Sequence, residues 1–235
     1  MSRTRTLSQL REEAYRRADC EGAYDRHDRA DVDRDLNQGG ARFWDELIAV
    51  RGTEYLQTSA NITTTADTSS YSLAAFSPRF YMLTGVRLDE RGGYPLRKFD
   101  DHEEAGLRDT DNTESWPTHY QLRRTGAAVS SLVILPEHEA GLTIAVNYVP
   151  GWADLVDDTD TFDGINGWED YMIDYAARKM ALRDGERDLA ADLFNDMADC
   201  LKRIKRVAPK RDMHQARRVK DIRGPHILRR RYPPA

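Results

Sequence analysis

The acidic segment 154–163 contains the densest group of side chains that could bind a cation. Its carboxylates alternate with smaller residues and precede a glycine, as in calcium loops built from oxygen ligands; they are Asp157, Asp158, Asp160 and Asp163, followed by Gly164. However, the apolar Phe162 occupies an interior position of this pattern, where a calcium loop needs an oxygen ligand. The segment is therefore predicted to be a solvated acidic linker, and a calcium site is the alternative.

Other residues that commonly bind metals or act as nucleophiles lack the spacing that such chemistry needs. His102-Glu103-Glu104 has no second His four residues later, as a zinc-protease helix requires. Cys20 and Cys200 are far apart and have no CxxC partner, so they are predicted to be unreactive thiols from a reducing compartment.

Phosphate-binding and hydrolase motifs are also missing from the sequence. Gly39-Gly40 and Gly92-Gly93 are predicted to be isolated turn glycines, because neither pair lies in a phosphate-binding loop pattern. No Gly-x-Ser-x-Gly nucleophile motif occurs. The sequence therefore predicts a protein without catalytic activity, bound metal or cofactor.

Charge is strongly segregated along the chain. The last 34 residues, 202–235, contain 13 Lys or Arg and only two acidic residues, a formal charge of +11. The preceding 201 residues contain 22 basic and 38 acidic residues, a formal charge of −16. This pattern predicts an acidic body with a basic tail, and large apolar residues are too few in the tail for it to fold without a partner.

Apolar residues recur among the charges of the tail, and an arm that binds only phosphates does not need them. A segment that lays apolar side chains in a groove while its arginines pair with carboxylates fits both features. The predicted docking residues are Arg217, Arg218, Arg223, Ile227, Leu228 and Tyr232. The alternative is a nucleic-acid-binding protein whose basic tail contacts phosphates.

Helical periodicity occurs at both ends of the body. Apolar spacing predicts helices over 7–18 and 43–50, and the charge-dense segment 21–35 between them is predicted to be a solvated turn or helix start. Asp184-Gly185-Glu186 separates two further stripes and predicts a helical hairpin; the stripes are Trp168, Tyr171, Met172, Tyr175, Ala176 and Met180, then Leu189, Ala190, Leu193, Phe194, Met197, Leu201 and Ile204. The aromatic residues of the first stripe could stack on nucleic-acid bases, but this spacing favours a core role.

The middle of the chain has β-strand composition. Thr and Ser dominate 61–72, and short strands are predicted at 71–73, 80–88, 94–99, 119–123, 131–135 and 142–150. An exposed loop with at most a short helix is predicted at 100–114. Five to seven short strands predict a small antiparallel sheet or sandwich.

The order of elements predicts an α+β fold. A bundle forms from the N-terminal helix pair and the C-terminal helical hairpin, with the β-rich region inserted and an extended basic tail following. The predicted divisions are N-terminal helices at 1–52, the β-rich insertion at 53–153, the acidic linker and hairpin at 154–206, and the docking tail at 207–235. No apolar run approaches the length of a membrane span, so no membrane partner is expected.

The element order resembles that of the head-to-tail adaptor, or connector, proteins of tailed bacteriophages. The β-rich region of that family opens with a Thr-rich stretch and a Tyr-x-Leu-Pro-x-x-Phe pattern; this chain has Thr63-Thr64-Thr65 and then Tyr71-Ser72-Leu73-Ala74-Ala75-Phe76, with Ala74 in place of the proline. The family's tyrosine- and alanine-bearing helix is matched by Trp168 to Ala177, and the following helix by Arg187 to Phe194.

The resemblance covers roughly residues 7–206 and implies a structural, non-enzymatic virion protein made in the host cytoplasm. It implies a homo-oligomeric ring, typically of twelve copies, between the portal protein and the tail or nozzle proteins, with packaged DNA passing through the lumen. It also implies that the C-terminal tail reaches the portal or a neighbouring subunit.

Overall fold

The computed structural model describes residues 3–22, 26–51, 56–76, 79–108, 116–125, 129–136, 138–164 and 167–207. Over these ranges the fold is mixed α+β. The helices are α1 (Leu7–Arg17), α2 (Arg29–Arg51), α3 (Asp101–Arg108), α4 (Glu169–Asp184) and α5 (Arg187–Val207). The strands are β1 (Arg3–Thr6), β2 (Thr58–Thr63), β3 (Ser70–Ser72), β4 (Phe80–Leu88), β5 (Tyr94–Pro95), β6 (Arg97–Lys98), β7 (His119–Thr125), β8 (Val129–Leu135), β9 (Thr143–Pro150) and β10 (Thr161–Gly164). The predicted α+β class is confirmed, whereas the four predicted divisions of the chain stay predictions.

Four helices contribute to one hydrophobic core, because each presents an apolar stripe at helical spacing. Leu10 of α1, Leu36 of α2, Met172 of α4 and Leu193 of α5 are all buried in it. Thr6 begins α1 with a capping box, accepting a hydrogen bond from the backbone N–H of Gln9. The predicted hairpin is confirmed: α4 ends at Gly185 in the left-handed conformation, and α5 follows.

The aromatic residues of the two hairpin helices differ in their burial. Trp168, Tyr171 and Tyr175 are buried in the helical core, which confirms the core interpretation. Phe194 is an exception to its stripe: its side chain is 54 % exposed, and the guanidinium of Arg178 lies 5.1 Å from the centre of its ring. The cation–π contact covers one face of a ring that the stripe predicted to be buried.

The N-terminal segment between the two predicted helices differs from expectation. Helix α2 begins at Arg29, well before the predicted start at residue 43, because Val32 and Leu36 bury an apolar stripe against the core. Two aspartates of its first turns are paired with arginines of other helices, whereas Asp31 pairs with Arg34 of its own helix and stays 45 % exposed. Arg11 donates to Asp33 at 2.7 Å, and Arg183 donates to Asp35 at 2.7 Å.

The prediction that Gly39 and Gly40 form a turn is wrong. Both lie within α2, where the chain passes very close to its neighbours. A Cβ atom on Gly39 would lie 3.1 Å from the Cβ of Tyr175, and one on Gly40 would overlap the indole ring of Trp152. Glycine is needed here for close packing, which outweighs its low helix propensity.

The β-rich middle forms two four-stranded sheets that share a second, smaller core. One sheet has the order β2-β9-β4-β5 and the other the order β3-β8-β7-β6. Val86 and Leu88 of β4 pack with Leu132 and Ile134 of β8 in this core. On the opposite face of β8, Val133 and Leu135 pack with Phe99 and with Leu107 of the short helix α3.

The predicted strands are mostly present, with three differences. The segment 94–99 is split into β5 and β6, which belong to different sheets, and β6 pairs with β7 in parallel. Strand β2 extends the Thr-rich region, and it was not predicted as a separate strand. Strands β1 and β10 pair with each other from opposite ends of the body, so the predicted acidic linker ends in a strand.

Candidate functional site

The six predicted docking residues all follow α5. They are Arg217, Arg218, Arg223, Ile227, Leu228 and Tyr232, which lie outside the described residues and stay a prediction. What it describes is the base of the tail, at the end of α5.

Basic residues at the end of α5 contact acidic groups of the body. Lys205 lies 3.2 Å from Glu46 of α2, and Lys202 lies 2.8 Å from Asp199 on its own helix. Arg203 donates to the backbone carbonyl of Gly167 at 2.5 Å. These three basic residues therefore have polar partners on the body, and each side chain remains at least half exposed.

An ion-pair cluster lies beside this helix end and connects α1 with α4. Arg17 donates to Asp174 at 2.5 Å and to Asp170 at 2.7 Å. The side chain of Asp174 is only 4 % exposed, and burial raises its pKa although Arg17 opposes the shift. With Asp196, Asp199 and Arg203, these residues line an open cleft of about 330 Å³. Because Arg203 of α5 also lies 3.7 Å from Asp170, the cluster connects α1 and α4 with the helix from which the tail begins.

The sheets expose apolar side chains that the two cores leave uncovered. Tyr81 and Met82 of β4, Tyr94 of β5 and Leu122 of β7 are each more than one third exposed. Strands β2, β3, β5 and β6 form the outer edges of the two sheets among the described residues. Exposed apolar groups and open strand edges are features of surfaces that contact other proteins.

Strand β4, which carries two of these exposed side chains, is joined to the helical region. Tyr81 donates to Asp45 of α2 at 2.9 Å, and the indole of Trp44 donates to the carbonyl of Pro150 at 2.9 Å. Trp44 also packs against Trp152 with ring centres 6.2 Å apart. The helices therefore hold the orientation of the sheet through α2.

The acidic segment that suggested a cation site forms local contacts instead. Asp160 accepts hydrogen bonds from the backbone N–H groups of Val156 and Asp157, which lower its pKa. Asp158 accepts from Arg11 at 2.7 Å. These carboxylates stabilise a turn and an ion pair with α1, while most of the segment stays exposed, as predicted for a solvated linker.

A different set of possible ligands is assembled from distant parts of the chain. Cys20, His27 and Asp184 offer one thiol, one imidazole and one carboxylate, and their ligand atoms lie within 4.8 Å of one another. Sequence reasoning missed this cluster because Asp184 follows Cys20 by 164 residues and no motif spacing links them. Burial raises the pKa of the Cys20 thiol to about 11, and the nearby Asp184 carboxylate is the second-largest cause of this increase.

These features fit a structural protein whose surface is suited to contacts with other proteins. Several ion pairs join different elements, and the described surface exposes a few large apolar side chains and four strand edges. No helix within the described part of the chain is long and apolar enough to cross a membrane.

Comparison with known families agrees with this class. Residues 5–221 match the family model described as SU10 adaptor protein, and the chain belongs to this family of phage head–tail adaptors. The family is a structural one and not an enzyme class. No curated protein matches the chain.

Proposed function

We propose that this protein is a head-to-tail adaptor that forms a ring between the portal and the tail of a phage particle, with DNA passing through the lumen. The match to the adaptor family over residues 5–221 is the observation that carries the proposal. Twelve copies is the expected number. The ring has no catalytic role and is a component of the virion.

The surfaces of the described residues support assembly through protein contacts. Open strand edges at β2 and β5 and the exposed side chains of Tyr81 and Tyr94 are suitable for contact with neighbouring subunits or tail proteins. Because α2 holds this sheet through Trp44 and Tyr81, the contact surfaces keep a fixed orientation relative to the helices.

The C-terminal tail is the proposed docking segment toward the portal or a neighbouring subunit. Residues 208–235 number 28 and could span at most about 100 Å when fully extended. Its arginines would pair with carboxylates of the partner, while Ile227, Leu228 and Tyr232 would occupy apolar pockets. The family match ends at Asp221. It therefore includes the docking residues Arg217 and Arg218, whereas Arg223, Ile227, Leu228 and Tyr232 lie beyond it.

The acidic body suits a conduit for DNA, since like charge keeps the duplex from binding to the wall. We propose that acidic residues of the body face the lumen. A map of the charges in an assembled ring tests this, and a basic lumen would contradict it.

The central experiment combines the purified chain with a portal ring and determines the mass of the products by native mass spectrometry. Three forms are compared: full length, a form ending at Val207, and a form ending at Asp221. We expect a stable assembly with about twelve full-length copies, weakened by either truncation. Absence of any assembly with full-length protein would refute the adaptor role, and equal assembly by all three forms would refute docking by the tail.

The second candidate function is nucleic-acid binding by the basic tail, which the charge of +11 over residues 202–235 favours. Phosphate binding weakens steeply with salt because counterions are released. Titration of a short DNA duplex at low and physiological salt separates the two functions. Salt-sensitive binding that the Val207 truncation abolishes, together with failure to assemble on the portal, would establish this alternative.

A further inference from the structure

Three segments of the helical region meet at the end of α4. Cys20 follows α1, His27 precedes α2, and Asp184 is the last residue of α4. All three side chains are nearly inaccessible: Cys20 is 8 % exposed as a residue, and the side chains of His27 and Asp184 are 2 % and 8 % exposed. Helices α1, α2 and α4 therefore meet at a buried cluster of polar side chains.

The ligand atoms of the three residues converge on one carboxylate oxygen. Nε2 of His27 lies 2.9 Å from Oδ2 of Asp184, and Sγ of Cys20 lies 3.4 Å from the same oxygen. The other oxygen, Oδ1, pairs with Arg26 at 3.0 Å on the solvent side. Oδ2, the thiol and the imidazole thus face one another on the protein side of the carboxylate.

We propose that Cys20, His27 and Asp184 form a binding site for one Zn²⁺ ion. Thiolate, imidazole and carboxylate are the three ligand types that zinc takes in proteins, and three protein ligands leave one position for water. Neighbouring ligand atoms of a tetrahedral zinc site lie roughly 3.3–3.7 Å apart. The sulfur–oxygen distance of 3.4 Å already has this value, and the imidazole needs to withdraw by about 0.5 Å from the carboxylate to admit the ion. The thiol must also give up its hydrogen bond to the carbonyl of Ala18, 3.2 Å away.

Two further features of the site favour this rearrangement. Nδ1 of His27 is buried and has no hydrogen-bond partner among the described residues, so no second hydrogen bond opposes a small rotation of the ring. Arg26 has an exposed side chain and contacts only the outer oxygen, so it leaves Oδ2 available to the ion. Binding of Zn²⁺ displaces the Cys20 thiol proton and any proton on Nε2 to solvent, and the cation then links α1, α2 and α4.

The second cysteine provides a matched control. Cys200 is also buried, but its thiol faces the carbonyl of Gly167 at 3.7 Å and is not part of the cluster. Because the chain has only two cysteines, the Cys200→Ser variant keeps Cys20 as its sole thiol.

The test uses the full-length chain, stripped with a chelator and titrated with Co²⁺, which reports thiolate ligation by a charge-transfer absorption in the near ultraviolet. We expect the band at one equivalent of Co²⁺ in the wild type and in Cys200→Ser, its loss in Cys20→Ser, and its displacement by Zn²⁺. Absence of the band from Cys200→Ser would overturn the proposal even if Cys20→Ser failed to fold.

Thermal unfolding with and without Zn²⁺ supplies a second measurement. Zinc should raise the melting temperature of the wild type and of Cys200→Ser, and the rise should be lost in Asp184→Asn. Native mass spectrometry should show one zinc ion per chain. More than one ion, or an unchanged rise in Asp184→Asn, would place zinc elsewhere and contradict the site.

Discussion

The helical region and the β-rich middle are held together by different kinds of contact. The helices share a large core, and their ion pairs involve buried charges, as in Arg17 with Asp174 and Arg183 with Asp35. The sheets share a smaller core, and their charged pairs are more exposed, as in Arg123 with Glu104. The helical region thus serves as a scaffold, whereas the sheets have open strand edges and exposed aromatic side chains.

The sharpest test of this comparison truncates one leucine in each core. Leu36 of α2 and Leu88 of β4 are both fully buried, so replacement by Ala should lower the free energy of unfolding by about 2–5 kcal/mol in either case. Because Trp44 and Trp152 join α2 to the end of β9, we expect both variants to shift one common transition. Urea unfolding followed by circular dichroism and tryptophan fluorescence measures it. Two separate transitions, with Leu88→Ala moving only one, would show that the sheets unfold independently.

A second comparison removes one arginine from each region. Arg17→Met leaves the buried carboxylate of Asp174 without its partner, which should cost about 3 kcal/mol of the free energy of unfolding. Arg123→Met removes a more exposed pair with Glu104, so its effect should be small and should shrink further in salt. Unfolding of both variants at low and high ionic strength measures this. Equal losses would contradict the distinction between buried and exposed pairs.

The strength of periodicity decided how much of the fold could be predicted. The hairpin of α4 and α5 and the strand β9 were predicted well, because their apolar residues repeat at 3.6 or 2 residues. Helix α2 was predicted too short, since Asp31, Asp33 and Asp35 resemble a solvated segment until their arginine partners are known. Strands β1 and β10 were missed because pairing across the whole body leaves no local signal.

The candidate sites were predictable only where charge alone indicates them. The basic tail is visible in composition, and its docking residues stay a prediction. The cluster of Cys20, His27 and Asp184 requires the fold, because three elements bring it together without any motif. The glycines of α2 show the same limit, since their close packing against Trp152 and Tyr175 cannot be predicted from the sequence.

A third comparison places the same substitution in two helices. In α2, Gly40→Ala drives a methyl group into the indole of Trp152, so we expect a loss of about 1–3 kcal/mol in the free energy of unfolding. In α3, Gly106 has open space around the position of a Cβ atom, and Gly106→Ala should stabilise by about 0.5–1 kcal/mol through helix propensity. Thermal and urea unfolding of both variants show whether each substitution lowers or raises the free energy of unfolding. Stabilisation by Gly40→Ala would show that Trp152 moves away at little cost.

The smallest expected effect concerns pH in the β-rich region. Hydrogen bonds from Arg123, and then from Arg108, hold the pKa of Glu104 below its ordinary value. A carboxylate with a lowered pKa in the folded state stabilises the fold above its unfolded pKa, and this contribution is lost as pH falls through the folded pKa. The difference in unfolding free energy between wild type and Glu104→Gln should therefore be small at neutral pH and should vanish in acid.

Arg123 supplies the control for this pH dependence. In an Arg123→Met background the largest cause of the lowered pKa is gone, so the pH-dependent difference caused by Glu104→Gln should decrease. Unfolding of the four proteins between neutral and acidic pH completes the cycle. A pH-dependent difference of the same size in both backgrounds would mean that Arg108 alone sets the pKa of Glu104. In that case, the ion pair between α3 and β7 would contribute nothing to the attachment of this helix to its sheet.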